Sequence, residues 1–239
     1  MCLAAIAINQ HPEFPFVCIA NRDEFHDRPS AKLAAWPDFM PKVYAGRDLQ
    51  SGGTWLGINE VGRFALLTNV RNPQLNMPAT APSRGALVTD AINHGAMPSA
   101  QESLSYAGFN LLTANLHTGE LRYCTNQWLK LGQQNRPYLR NLSAGIHTVS
   151  NGELDAAWPK SLRLKSAFAQ ALEHAGSLDG GGPITQQVLE AVAVRRSGCA
   201  VPGAEQVPQP KLASARACSR TTARGRGRLG GGCVGPACL

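Results

Sequence analysis

The stretch GTWLGINEVGRFALLTN (53–69) constrains this chain more than any other. Two apolar runs flank Asn59-Glu60-Val61-Gly62, a spacing that predicts two antiparallel strands joined by a tight turn. Gly62 supplies the positive φ that such a turn favours. The pattern returns in FNLLTANLHTGELRYCTN (109–126), around His117-Thr118-Gly119-Glu120. LAAIAI (3–8) and FVCIAN (16–21) are further apolar strands, separated by a loop containing Pro12 and Pro15, and AGIHTVSN (144–151) reads as another strand ending in Asn. Helices are fewer. SRGALVTDAINHG (83–95) opens at Ser83 as its cap and stops at Gly95. WPKSLRLKSAFAQALEHAG (158–176) carries Leu162, Phe168 and Leu172 near helical spacing with Gly176 as its stop, and TQQVLEAVAV (185–194) is a shorter candidate. Hairpins followed by helices, without strict β-α-β alternation, predict an α+β architecture of antiparallel sheets packed by helices.

That pattern ends at Val194. Residues 195–239 contain no aromatic side chain and no Ile, and are dominated by Gly, Ala, Pro, Arg and Ser. Such a composition cannot bury enough surface to offset its ordering entropy. The chain of 239 residues therefore divides into a foldable domain, 1–194, and a tail, 195–239, read as disordered or as a shifted-frame stretch that is not the native C-terminus. The net charge of +7 follows the same boundary: 1–194 holds fifteen Lys and Arg against fifteen Asp and Glu, whereas the tail holds eight basic residues and one acid, Glu205. A neutral body without a basic face argues against nucleic acid as partner. An RNA- or membrane-surface arm is the sharper reading of the tail alone.

No apolar run reaches the ~18–20 residues of a membrane span, and no signal peptide is legible. The expected setting is cytoplasmic and soluble. Seven cysteines occur without a C-x-x-C pair, so neither a zinc ribbon nor a thioredoxin-like motif is present and no metal site is expected. Cys18 and Cys124 lie in apolar or alternating runs and read as small core residues. Cys2 calls for a different explanation.

Removal of Met1 would make Cys2 the first residue and set its thiol beside a free α-amine. Such an amine titrates at roughly 7.7–8.0 and serves as a general base near neutral pH, and the thiolate it generates is the effective nucleophile. If strands 3–8 and 16–21 pair as a hairpin, the second strand ends near Cys2 and brings Asn21, Arg22 and Asp23 to it. Asp23 would hold the amine, while Arg22 would orient that carboxylate or bind an anionic substrate group. Asn69, at the end of FALLTN, is an amide donor suited to a developing oxyanion. Trp55 is either a wall of the same cleft or plain core, and Ser150-Asn151 ends a strand that could point at the cleft too. The glycines of GGTWLG mark a place where backbone approaches a ligand closely.

Four segments in order, CIANRDEF, AGRDLQSGGTWLGINEVGRFALLTNVRNP, SRGALV and VSNGELDAAWPK, resemble the NRDE family, also called the transport and Golgi organisation protein 2 family. The resemblance spans about residues 1–190. More distantly the chain resembles N-terminal-nucleophile hydrolases of the choloylglycine hydrolase and penicillin V acylase type. The resemblance implies a four-layer αββα sandwich with Cys2 as nucleophile, Asp23 holding the α-amine, and Asn69 and Asn151 serving the oxyanion and amine network. Ala20 stands where those hydrolases carry an arginine. The late strands of the family have no counterpart in 195–239, so an open sheet edge is expected.

Two functions compete on that fold. One is a hydrolase of an amide or thioester acting through a Cys2 acyl-enzyme, with a small acyl-type molecule as substrate and no cofactor. The other is a non-enzymatic carrier or chaperone of haem, acyl-CoA or lipid, for which His26, His94, His117 and His147 are equivalent candidates as haem ligands.

Overall fold

A computed structural model of the chain describes residues 2–25, 27–72, 74, 80–133, 135–136 and 138–174, with a two-residue strand at 237–238. Met1, His26, the 185–194 segment and all of the tail except that strand lie outside the described residues.

The larger sheet is a seven-stranded antiparallel meander whose strands lie side by side in sequence order. It contains β3 (Ser30–Trp36), β4 (Val43–Asp48), β5 (Leu56–Asn59), β6 (Arg63–Asn69), β7 (Phe109–Asn115), β8 (Glu120–Thr125) and β9 (Leu139–Asn141). The turns read from the sequence form as expected, with Gly62 at φ 68° and Gly119 at φ 70°. The smaller sheet has β1 (Leu3–Ile8) at its centre, between β2 (Phe16–Asn21) and β10 (Gly145–Val149), both antiparallel to it. Leu3 stands opposite Asn21, and Ala4 opposite both Ala20 and Val149. The outer side of β2 pairs, among the described residues, only through Ala20 and Ile19 with β11 (Ala237–Cys238).

Side-chain alternation sorts the apolar residues into three layers of contact. Ala4, Ile6, Ile8, Cys18 and Ala20 meet Phe64, Leu66, Leu112, Leu121 and Tyr123 between the two sheets. The opposite parity of the larger sheet, including Ala65, Leu67, Phe109, Leu111 and Cys124, packs on Leu87, Val88, Ala91 and Ile92 of α1 (Gly85–His94). The opposite parity of the smaller sheet, Ala5, Ala7, Val17 and Ile19, packs on Leu164, Phe168, Ala171 and Leu172 of α4 (Pro159–His174). The order helix, sheet, sheet, helix is a four-layer αββα sandwich. Cys18 and Cys124 are buried within it.

Several local readings change. Leu162 is 54% exposed, because Leu164, Phe168, Ala171 and Leu172 define the buried stripe and Leu162 falls on the far side of the helix. The cap of α1 is Arg84, in helical conformation and without a side-chain cap bond, so Ser83 lies one residue outside. The first turn closes instead through Ala86 N–H to Ser83 O and Leu87 N–H to Arg84 O. Strands β3, β4 and β9 and the short helices α2 (Ala100–Ser103) and α3 (Gln127–Lys130) were not read from periodicity. β3 is mostly exposed, so it carries no apolar alternation to read. No helix among the described residues is long and apolar enough to cross a membrane.

Candidate active site

The pairing of Leu3 with Asn21 fixes Cys2 beside the end of β2. A second tie comes from β10, where the Ser150 hydroxyl just beyond the strand donates to the Cys2 carbonyl at 2.6 Å. Ser150 is itself held by the other sheet. Its carbonyl accepts from Thr68 Oγ1 at 2.6 Å and from Asn110 Nδ2 at 3.3 Å. Asn110 also donates to Gly152 O at 2.7 Å and accepts from the Tyr123 hydroxyl at 2.7 Å. Burial pushes the Tyr123 phenol far above its ordinary pKa and outweighs the Leu154 N–H that opposes it, so it remains a neutral donor. This buried chain bolts the end of β10 across the inter-sheet gap and so sets the position of the Cys2 backbone.

Asn151 extends the same bolt. Its Nδ2 donates to the Asn69 carbonyl at 2.8 Å, and its own carbonyl accepts from Arg71 N–H at 2.9 Å. Cys2, half-buried, and Asn69 then line one cleft of about 330 Å³. Its other walls include Trp55, Arg22, Arg28 and Arg84.

The cationic side of the cleft is organised around Asp48. Oδ1 accepts the N–H groups of Gln50 and Ser51 at 3.0 Å each, while Oδ2 accepts from Arg22 at 2.8 Å and Arg28 at 2.7 Å. Burial alone would raise its pKa. The Ser51 N–H, Arg28, the Gln50 N–H and Arg22 together outweigh burial and hold the carboxyl below its ordinary value. Arg22 also donates to Ser30 Oγ at 2.6 Å and lies 4.5 Å over the Trp55 ring. Glu24 completes the group, 3.6 Å from Arg22 and 3.8 Å from Arg28. Arg84 differs. It donates to Gly108 O at 3.0 Å, and burial first, then Arg28, lower its hold on its proton.

Of the glycines of the GGTWLG stretch, Gly53 lines the cleft and is also pressed against a neighbouring backbone. A Cβ on Gly53 would meet Gly85 C at 3.0 Å, and one on Gly85 would meet Thr54 O at 3.1 Å. The loop before β5 and the start of α1 therefore press backbone to backbone, which brings Arg84 to the cleft.

Of the residues singled out from sequence, Cys2, Arg22, Trp55 and Asn69 line this cleft. Asn21, Asp23 and Asn151 are not among its lining residues. Asn21 Nδ2 donates to Asp23 Oδ1 at 3.4 Å. Asn21 Oδ1 and Asn151 Oδ1 are buried without a hydrogen-bond partner among the described residues. Lys160, in the first turn of α4, interacts electrostatically with Asp23 and Cys2; burial lowers its pKa while these two groups oppose that. His94, His117 and His147 do not line the cleft, and His147 engages Asp155 at 2.8 Å and Ser143 O at 3.0 Å. Among the described residues no cluster of three or more His, Cys, Asp or Glu side chains is placed to hold a metal ion.

Sequence reasoning passed over Arg28, Asp48, Arg84 and Lys160. Arg84 stands in SRGALV, which was read as a helix start and as a segment of the family resemblance, without a role for the arginine itself. Asp48, three residues before Ser51 and followed by Gly52-Gly53, carries the signature of an Asx turn.

A family model for Transport and Golgi organisation 2 matches residues 1–220. The chain belongs to this family. Among its curated members, the human Transport and Golgi organization protein 2 homolog is 33% identical over 192 residues, covering 74% of this chain and 67% of the relative. The mouse homolog is 30% identical over 200 residues, covering 78% and 70%. Among solved structures, a Caenorhabditis elegans ortholog of N-acylethanolamine-hydrolyzing acid amidase superposes with a TM-score of 0.51 at 10% identity, over 82% of this chain and 88% of that one. Penicillin V acylase from Agrobacterium tumefaciens gives 0.50 at 11% identity, over 84% and 75%. At such identities the likeness is one of fold, and it places this family member among N-terminal-nucleophile-hydrolase-like sandwiches.

Proposed function

We propose that this family member is an N-terminal-nucleophile hydrolase that cleaves an amide or thioester through Cys2. The observation that carries the reading is the meeting of a half-buried thiol at the start of β1 with an amide at the end of β6 in one cleft. After loss of Met1, the α-amine of Cys2 takes the thiol proton, and the thiolate forms a C–S bond to the substrate carbonyl carbon. Asn69 Nδ2–H donates to the oxyanion that develops. Collapse breaks the C–N or C–S bond of the substrate, and the ammonium proton leaves with the departing group. Water then attacks the acyl-enzyme, releasing the acid and restoring the thiol. Asp23, braced by Asn21, would hold the amine, and Asn151 positions Asn69 through its carbonyl.

The test is intact-mass analysis with a panel of amides and thioesters. Loss of Met1, an acyl adduct on Cys2 and abolished turnover in Cys2→Ala are expected; turnover retained in that variant would sink the mechanism.

A carrier function has one observation in its favour. Phe25, 75% exposed, lines with Pro29 a hollow that shares Arg28 with the cleft, and Leu49, 57% exposed on the loop after β4, donates its N–H to Pro29 O. An acyl chain or the face of a haem could cover them. Saturable binding of long-chain acyl-CoA or haem, without turnover and weakened by Phe25→Ser, would favour the carrier.

A further inference from the structure

Five charged side chains line the cleft around Cys2: Arg22, Glu24, Arg28, Asp48 and Arg84. Four of them neutralise one another at 2.7–3.8 Å. Arg22, the cation first suited by sequence to an anionic substrate, is committed to Ser30, Asp48 and the Trp55 face. Arg84 remains, half-buried, with one hydrogen bond to a neutral backbone carbonyl and no ion pair among the described residues. A guanidinium has five N–H donors in a planar fork, so most of its donors are left for another partner. A desolvated cation without a counter-charge is costly, and the excess positive charge of the cleft sits on it. Glu24 attracts Arg84 but is engaged by Arg22 and Arg28.

We propose that Arg84 is an anion subsite, and that the ligand of the Cys2 cleft bears a carboxylate or phosphate gripped by its guanidinium. The substrate class is then an amide or thioester that carries an oxyanion in addition to the bond presented to Cys2. The reacting bond rests on the hydrolase reading; the grip on the anion rests on Arg84 alone. Bidentate guanidinium–oxyanion pairing also fixes direction, so the subsite would select which face of the carbonyl meets the thiol. Burial of the Arg84 guanidinium makes an arriving anion more favourable.

The experiment compares alkylation of Cys2 in the full chain by iodoacetate, an anion, and iodoacetamide, its neutral analogue, at constant ionic strength. The rate ratio is read by peptide mass and set against that of free cysteine. The expected ratio is about tenfold above free cysteine, in keeping with a charge-assisted pair. Arg84→Gln should return it to the free value, and Arg84→Lys should keep part of the excess. A wild-type ratio equal to that of free cysteine, or one unchanged by Arg84→Gln, overturns the subsite. If Arg84→Gln does not fold, Arg84→Lys and protection against iodoacetamide decide. Protection by inorganic phosphate but not acetate assigns a phosphate, the converse a carboxylate, and protection by neither overturns the proposal. If Cys2 is inert to both reagents, the hydrolase reading fails by itself. Inorganic phosphate is then titrated against Trp fluorescence: a saturable change lost in the Arg84 variant supports the subsite, and its absence in wild type overturns it.

Discussion

Two polar clusters meet at Cys2, one at the ends of β6, β7, β8 and β10 and one on the loops around Asp48. The first is neutral and buried: Thr68, Asn110, Tyr123 and Ser150 satisfy one another and the carbonyls beside them. The second is charged and open to the cleft, and it holds one more cation than anion. A closed neutral network fixes geometry and leaves no donors to spare, whereas an unbalanced charged cluster retains capacity for a ligand. The two sides of the thiol thus divide the work, one holding its backbone and the other facing what arrives.

Breaking the neutral side should have the largest effect. Asn110→Ala strips partners from the Tyr123 hydroxyl and the Ser150 and Gly152 carbonyls, and should cost about 3 kcal/mol in urea unfolding. Cys2 alkylation should become less site-selective with it. A loss under about 1 kcal/mol would mean that apolar packing alone holds the sheets together.

Asp48→Ala comes next, at about 2 kcal/mol, since it releases two arginines and the loop N–H groups from a side chain only 10% exposed. The same change should strengthen phosphate binding in the cleft by raising its net positive charge, an opposite sign that Asn110→Ala does not produce. The acid limb follows from the lowered carboxyl. Its stabilisation is complete above the ordinary value of 3.8 and is lost as pH falls through the lower folded value. Asp48→Asn should flatten that limb in thermal melts recorded below pH 4.

Tyr123→Phe should have the smallest effect, about 1 kcal/mol, because it deletes one donor and leaves Asn110 its three other contacts. A phenylalanine variant as damaged as Asn110→Ala would show that the hydroxyl, rather than the amide, is the hub.

The half of the site nearest in sequence could be read beforehand. Hairpin logic alone carries Asn21 to Leu3, and the turns at Gly62 and Gly119 follow from residue type. Asn110 also left a trace: it shares the inward parity of Leu112 and Ala114 in an apolar strand, a polar residue where none is wanted without a partner. Arg84 left no comparable trace. Its place depends on the close approach of Gly53 to Gly85, a long-range contact that no local period encodes. The short exposed strand β3 was hidden for the opposite reason, since it presents no buried face for a pattern to mark.

The central place of β1 also bears on how the chain is made. Its two neighbours are synthesised far apart in time: β2 follows at once, but the β10 partners of Ala4 to Ile8 are residues 145–149. At a translation rate of ~5–20 residues per second, on the order of ten seconds separate the two. During that interval the segment bearing Cys2 emerges from the ribosome as one edge of an unfinished hairpin, without the Ser150 clasp. The clasp on the Cys2 carbonyl forms only once the residues beyond β10 arrive.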